Sequence, residues 1–70
     1  MPNIPDIERR FTYHPPKEGQ PAKYGRLRDY FKELAYVIEA ECPDSRERAL
    51  ALTKLEEAVM WANAAIARNE

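Results

Sequence analysis

The residues best suited to chemistry lie in RRFTYHPPKEGQ, residues 9–20, which combines aromatic, imidazole and cationic side chains. Phe11 and Tyr13 are two positions apart, so in an extended segment both rings face the same side. Aromatic faces stack on nucleobases with about 1–3 kcal/mol per base. His14 and the two prolines after it favour extended backbone, which orders the segment before anything binds. The segment therefore predicts a surface for flat ligands, with Phe11, Tyr13 and His14 as candidate contacts.

Three cations follow in the first turns of a predicted helix, at Lys23, Arg26 and Arg28. A helix N-terminus offers unpaired N–H groups and a partial positive charge, which favour phosphate. Arginine adds bidentate hydrogen bonds to phosphate oxygens or to a guanine edge. Rings beside phosphate donors predict a nucleotide pocket, and the spacing leaves open which of the three cations contacts the ligand.

A structural role also fits these side chains. The rings of Phe11 and Tyr13 could pack the loop onto the helices, and His14 could fix the loop by a hydrogen bond. The arginines would then pair with nearby carboxylates, for which the candidates are Glu8, Asp29 and Glu33. The exposure of the rings and the ion pairs of the arginines distinguish the two roles.

Charge is distributed unevenly along the chain. Residues 9–28 contain six Lys or Arg residues and one Glu, whereas the chain as a whole carries −1, so the rest of it is acidic. Broadly basic proteins hold long nucleic acid along many phosphates. One basic segment on an acidic body indicates a small anionic ligand instead, and we expect no long nucleic acid as a partner.

The sequence contains few groups that could carry out catalysis. His14 is the sole histidine, and Ser45 is the sole serine and lies at a predicted helix start, whereas a nucleophile requires an adjacent base and a group that orients it. Gly19 and Gly25 form no phosphate-binding loop. The histidine, the single Cys42 and the carboxylates lack the spacing of a metal site. We expect a protein that is not an enzyme and uses no metal or cofactor.

Apolar spacing predicts an all-α fold. In residues 20–42 apolar side chains recur at intervals of three and four, as on one face of a helix: Tyr24, Leu27, Phe31, Leu34 and Ile38. Pro21 suits the first turn of this helix, and Pro43 ends it. Residues 44–69 repeat the spacing in a second helix: Leu52, Leu55, Val59, Ala62 and Ile66.

The two helices are expected to form an antiparallel hairpin, because so short a turn joins them. Asp44 is expected to cap the second helix, with Glu47 three residues on. Residues 1–19 are expected to be an N-terminal arm and loop, with no more than a helical turn in residues 1–8. The sequence therefore predicts a single domain over residues 1–70.

The second helix has more apolar surface than one neighbouring helix can cover. Met60 and Trp61 flank its stripe, and alanines add small faces that allow close approach. A chain of this length buries only about 60% of its unfolded surface, and the single Cys42 cannot form an internal disulfide. We therefore expect a homo-oligomer built on residues 52–67.

No membrane partner is expected, because no apolar run approaches the roughly 20 residues of a membrane span. The sequence starts without a signal peptide, and a single cysteine suits a reducing compartment. These features favour a cytoplasmic protein.

Five stretches carry a family resemblance: RRFTYHPP, GQ, YGRLR, CPDSRE and LTKLEEAVMWANAAIARN. Together they resemble the phage anti-CBASS proteins that act as cyclic-oligonucleotide sponges, a family that shares a helical-hairpin domain with a phage sponge against Thoeris defence. The resemblance implies homohexamers that sequester cyclic dinucleotides, such as cyclic GMP-AMP, and cyclic trinucleotides without cleaving them. It also implies immune evasion in the host bacterial cytoplasm, where CBASS signalling is blocked.

The resemblance also implies roles for particular residues. Tyr13 corresponds to the aromatic near the HPP motif that stacks on a base of the dinucleotide. Arg28 corresponds to the basic residue early in the long helix, with Arg26 and Lys23 as rivals. Arg68 is implied to line a trinucleotide pocket on a threefold axis, although a cation there also suits the negative end of a helix.

Two other functions remain open on the sequence. The hairpin could be an interaction module that docks on a host protein through Trp61 and Met60. It could also be a weak regulator of nucleic acid, which would show a steep salt dependence.

Overall fold

The computed structural model describes residues 4–70 and consists, over that range, of helices and connecting segments without a strand. The elements are α1 (Ile4–Phe11), α2 (Gln20–Glu41) and α3 (Arg46–Asn69). Helices α2 and α3 pack against each other as an antiparallel pair. At one end Lys23 pairs with Glu70, and at the other Arg48 donates to the Glu39 carbonyl at 3.3 Å. The prediction of an all-α helical hairpin is confirmed.

Helix α1 is longer than the single turn expected from the sequence, and it ends at Phe11. Asp6 in its first turn pairs with Arg9 at 3.1 Å and Arg10 at 3.6 Å, one turn further on. These i,i+3 and i,i+4 pairs also match the helix dipole, which explains why the helix continues. Phe11 therefore lies in a helix and not in the extended segment with Tyr13. Residues 1–3, where the sequence places the start of the turn, are outside the described residues.

Helix α2 follows a left-handed turn. Gly19 has φ +84°, a region that costs other residues a clash with their own Cβ, and Pro21 lies in the first turn of the helix. The helix ends as Cys42 becomes extended ahead of Pro43, and the Cys42 N–H donates to the Ile38 carbonyl at 3.0 Å.

Helix α3 is capped by Ser45, so the prediction of Asp44 as the cap is wrong. Ser45 is extended, and its Oγ accepts from the Arg48 N–H at 3.1 Å while donating to the Pro43 carbonyl at 2.9 Å. The Asp44 carboxylate instead pairs with the Arg48 guanidinium at 3.1 Å. The Ser45 hydroxyl caps the helix because Ser45 is the residue from which the helix starts, and its Oγ is therefore within reach of the third N–H of the helix, that of Arg48.

The hairpin has no closed core in its described part. Gln20 is the only residue there that is buried, and every residue of the apolar stripes of α2 and α3 remains partly exposed. The chain is a flat body of 45 × 34 × 12 Å with a radius of gyration of 15.5 Å, against about 11 Å for a compact chain of this length. Its accessible surface of 5898 Å² is about 1,400 Å² more than a compact monomer of its mass exposes. Both faces of the hairpin are therefore open.

None of the helices between residues 4 and 70 combines the length and the apolar character needed to cross a bilayer.

Candidate functional site

The Tyr13 loop (residues 12–19) connects α1 to α2 and is held at its upstream end by His14. The His14 Nε2 lies 2.6 Å from the Arg9 carbonyl oxygen. Because a carbonyl only accepts, this ring nitrogen carries the proton and donates. The bond ties the loop to the last turn of α1. His14 therefore has the loop-fixing contact that the sequence left open as its structural role.

Gln20 holds the downstream end of the Tyr13 loop. Its Oε1 accepts from the Lys17 N–H at 2.9 Å, and its own N–H donates to the Lys17 carbonyl at 3.0 Å. The Gln20 Nε2 donates to Glu70 Oε1 at 3.2 Å, so the loop is connected to the end of α3.

Glu70 contacts two lysines at this junction. Its second carboxylate oxygen pairs with Lys23 Nζ, and its main-chain carbonyl accepts from Lys17 Nζ. The hydrogen bond from Lys23 is the main cause that lowers the pKa of the Glu70 carboxyl below its usual 4.5, followed by the hydrogen bond from Gln20. The charge of Lys23 is thus already compensated within the protomer.

Tyr13 lies between the end of α1 and the His14 attachment point, and it is 80% exposed. A ring this exposed does not pack the loop onto the hairpin, and its hydroxyl makes no hydrogen bond to any residue from 4 to 70. It is an exposed aromatic on a segment that is fixed on both sides.

Phe11 lies at the end of α1, whereas Tyr13 lies in the loop that follows. Phe11 is 78% exposed, and its ring centroid is 5.7 Å from the guanidinium carbon of Arg10. Phe11 is one of the residues that line a groove of about 450 Å³: Asp6, Arg9, Arg10, Phe11, Trp61 and Arg68. The prediction that Phe11 and Tyr13 face one side assumed an extended backbone at both residues, and Phe11 is instead helical.

Arg68 lies in this basic and aromatic region at the end of α3. A second, smaller groove of about 180 Å³ is formed with Arg9, Trp61 and Asn69, among others. Arg9 donates to Asn69 Oδ1 at 3.4 Å and so brings α1 against α3. The sequence placed Arg9 in a basic run but gave no reason to join it to Arg68, which is 59 residues away.

The three cations of α2 do not share a single groove. Lys23 and Arg26 line one of about 330 Å³ with Tyr30 and Glu70. Arg28 lies away from them and lines two others, of about 480 and 420 Å³.

The arginines do not form the ion pairs that the structural alternative requires. Arg9 and Arg10 pair with Asp6 and not with Glu8. Over residues 4–70 no carboxylate lies within ion-pair distance of Arg26 or Arg28. Two of the predicted cations thus form no ion pair within residues 4–70.

Asn63 was missed by the sequence analysis. It lines the 420 Å³ groove with Tyr24, Arg28 and two alanines of α3, and its Oδ1 is buried without a hydrogen-bond partner in the described chain. A buried acceptor without a partner is uncommon and requires an explanation. The signal in the sequence was one amide within the apolar run WANAAIA.

The family of the chain follows from its match to known sequences. A family model described as Acb2/Tad1, hairpin domain, matches residues 3–67. The chain belongs to this family. The match spans α1, the Tyr13 loop, α2 and nearly all of α3 in the Acb2/Tad1 hairpin, and it confirms the resemblance to the anti-CBASS sponges. No curated protein and no solved structure matches the chain.

This Acb2/Tad1 hairpin offers binding surfaces more readily than catalytic groups. Ser45 is engaged in capping α3 at the hairpin turn, whereas His14 lies near the opposite end, bonded to Arg9. Among residues 4–70 no cluster of His, Cys, Asp and Glu could hold a metal ion. The side chains that line its grooves include aromatic rings, arginines and an amide, which are residue types suited to stacking on bases and to hydrogen bonds with phosphates.

Proposed function

We propose that this Acb2/Tad1 hairpin protein binds cyclic dinucleotides and retains them uncleaved, so that a host's CBASS effectors are not activated. The observation that carries the proposal is the exposed ring of Tyr13 on a loop held at both ends. A ring on an ordered loop binds a base at little further cost in conformational entropy. Membership of the Acb2/Tad1 family supports this sponge-type role.

Arg28 is proposed to hold the phosphates of the dinucleotide. Of the three cations of α2, Lys23 is compensated by Glu70, and Arg26 lines the same groove as that carboxylate. Arg28 lies away from Glu70, and although its larger groove also contains Glu56, it forms no ion pair within residues 4–70. A guanidinium without a partner can bind phosphate oxygens in a bidentate way without first breaking a salt bridge.

Asn63 is proposed to complete the Arg28 surface. Its unpaired Oδ1 needs a donor, and the exocyclic amine of a base supplies one. The groove that it shares with Arg28 and Tyr24 has room, at about 420 Å³, for part of a nucleotide. Arg28 and Asn63 would then bind phosphate and base edge side by side.

The complete dinucleotide pocket is proposed to form between copies of the chain. Tyr13 lines none of the grooves that contain Arg28 in one protomer. The flat hairpin has about 1,400 Å² more accessible surface than a compact monomer of its mass, which leaves surface available to other copies of the chain. The proposed assembly is the hexamer expected from the resemblance. The exposed Met60 and Trp61 are its proposed anchors.

Arg68 is proposed to contribute to cyclic trinucleotide binding. It lies with Arg9 and Arg10 beside the rings of Phe11 and Trp61, which is a suitable setting for phosphates and bases. Phe11 is accordingly proposed to contact a ligand on this surface, where the ring lies.

Calorimetric titration with cyclic GMP-AMP and a panel of cyclic di- and trinucleotides tests the proposal. We expect tight binding together with a rise in stability of about 2.7 kcal/mol when free ligand reaches 100 times its dissociation constant. Ligand released by heating should be chemically intact, because a sponge does not hydrolyse it. Recovery of a linear product would contradict the proposal and indicate a nuclease.

A docking module is the second candidate, because Met60 and Trp61 are 64% and 62% exposed on α3. Sedimentation distinguishes the two functions. A sponge should be an oligomer that covers Trp61 and responds to cyclic dinucleotide. A folded monomer at micromolar concentration, without response to any cyclic nucleotide, would support docking on a host protein instead.

A further inference from the structure

Gln20 is the one buried residue in the described chain, with 3% of its surface exposed, although it is polar. Buried amides are hydrogen-bonded in nearly all proteins, and one left unpaired is costly. Both ends of this amide are used: Oε1 accepts from the Lys17 N–H, and Nε2 donates to Glu70. Gln20 therefore joins the Tyr13 loop to the end of α3 through its side chain.

Glu70 is the opposite half of this junction. Its carboxylate accepts from Gln20 Nε2 and Lys23 Nζ, and its carbonyl accepts from Lys17 Nζ. The bonds span 47 to 53 residues of sequence, so they connect parts of the chain that no local turn holds together. We use the term C-terminal clamp for Lys17, Gln20, Lys23 and Glu70.

The C-terminal clamp determines where the downstream end of the Tyr13 loop lies. The upstream end is set independently by the His14–Arg9 bond. Between the two ends are Pro15 and Pro16, whose ring-locked φ angles make the segment stiff. A stiff segment transmits a displacement at Lys17 to His14, the residue that follows Tyr13, and so loads the His14–Arg9 bond that holds the loop beside the ring; a flexible segment would absorb it.

From this geometry we infer that Glu70, acting through Gln20 and Lys17, is a positioning residue that holds the Tyr13 ring where it meets a ligand. The inference rests on the proposed function. The clamp contacts the loop that presents the ring and not the ring itself. Its loss is expected to lower the fraction of molecules with the loop in place.

Affinity measurements on clamp variants test the inference. A loop that is in place for a tenth of the time binds about tenfold more weakly, and we expect about that loss for Glu70→Ala with cyclic GMP-AMP. Glu70→Gln keeps an oxygen that can accept from Gln20 and should rescue most of the affinity. Glu41→Ala removes an exposed carboxylate at the far end of the hairpin and should leave binding unchanged.

A double-mutant cycle with Tyr13 separates positioning from general structural damage. If Glu70 acts through the ring, Glu70→Ala should cause no further loss of affinity in a Tyr13→Ala background. Equal losses in both backgrounds would overturn the inference. Tighter binding by Glu70→Ala would also overturn it, because the carboxylate would then be competing with the ligand for Lys23.

Hydrogen exchange gives a readout that does not require ligand. The Lys17 amide bonds to the Gln20 side chain, so its exchange should accelerate in Glu70→Ala and in Gln20→Leu while amides in the middle of α3 stay protected. Unchanged Lys17 exchange in both variants would refute the clamp. Wild-type protein that binds no cyclic dinucleotide would refute the proposed function and this inference with it, whereas binding that Glu70→Ala leaves intact would refute the inference alone.

Discussion

Replacement of Tyr13 by alanine should weaken cyclic dinucleotide binding while leaving the fold intact. The side chain is 80% exposed and makes no hydrogen bond within residues 4–70. Surface substitutions of this kind change stability by about 0.5 kcal/mol or less. The melting temperature of Tyr13→Ala should therefore stay close to that of the wild type, and a change in affinity would report on ligand contact.

The magnitude follows from the energy of base stacking. A ring that stacks on one base contributes about 1–3 kcal/mol, which corresponds to about 5- to 150-fold in the dissociation constant. Because the Tyr13 loop is attached at both ends in the free protein, little of this energy is spent on ordering it. We therefore expect a loss in the upper half of that range for Tyr13→Ala.

Calorimetric titration of a substitution series at one salt concentration identifies the source of the energy. Tyr13→Phe keeps the ring face and should lose much less affinity than Tyr13→Ala. Tyr13→Leu keeps apolar area without a ring and should resemble alanine more than phenylalanine. Equal losses for Phe and Ala would refute stacking and assign the contact to the hydroxyl.

Phe11→Ala is the comparison within the same series. Phe11 is about as exposed as Tyr13 but lies beside Arg10 and Arg68 at the end of α1. Its removal should affect the dinucleotide less than removal of Tyr13. A loss equal to that of Tyr13→Ala would contradict this and show that the two rings act in one pocket.

Four further predictions follow from the same structure. Arg28→Ala should abolish tight dinucleotide binding with the oligomer intact in sedimentation; dissociation would make Arg28 a structural residue. Ser45→Ala should lower stability by about 1 kcal/mol, or roughly 4–8 °C in melting temperature, and Asp44→Ala by less, because the hydroxyl is the cap. Gly19→Ala should cost about 1–2 kcal/mol in denaturant unfolding, because φ is +84° and the space around it is open, which leaves backbone strain as the only cause. Because the pKa of Glu70 is lowered in the folded protein, the ionised carboxylate stabilises the fold at pH values above the usual pKa of 4.5. This stabilisation is lost as the pH falls through the lowered pKa of the folded state. Melting of wild type and Glu70→Gln should thus differ at neutral pH and converge in acid; a constant difference would contradict the carboxylate's role.

The fold of this protein could be predicted from local sequence. The three-and-four spacing from Tyr24 to Ile38 and from Leu52 to Ile66 identifies two amphipathic helices, and the short connection after Pro43 leaves only an antiparallel arrangement. Each of these signals acts over a few neighbouring residues. Periodicity and proline restrict the backbone at once, without help from distant parts of the chain.

The first helix and the cap of α3 show where local signals were insufficient. The sequence predicts a loop with a basic run at Arg9 and Arg10, but the ion pairs of both residues with Asp6 extend α1 to Phe11. At the hairpin turn Asp44 and Ser45 are both good caps by type. The backbone of the folded turn places the Ser45 hydroxyl, and not the Asp44 carboxylate, at the third N–H.

The ion pairing and burial of the candidate site residues were decided only by tertiary structure. Lys23 and Arg28 carry the same charge on the same helix, yet Glu70 pairs with Lys23 from 47 residues away, and Arg28 has no ion pair in the described chain. The partner of the buried Gln20 amide at Glu70 lies 50 residues away, and the unpaired Asn63 oxygen is likewise a feature that only the folded chain shows. Local propensity sets which residues form helices, but burial and electrostatic pairing depend on which distant groups the folded chain brings within a few ångströms.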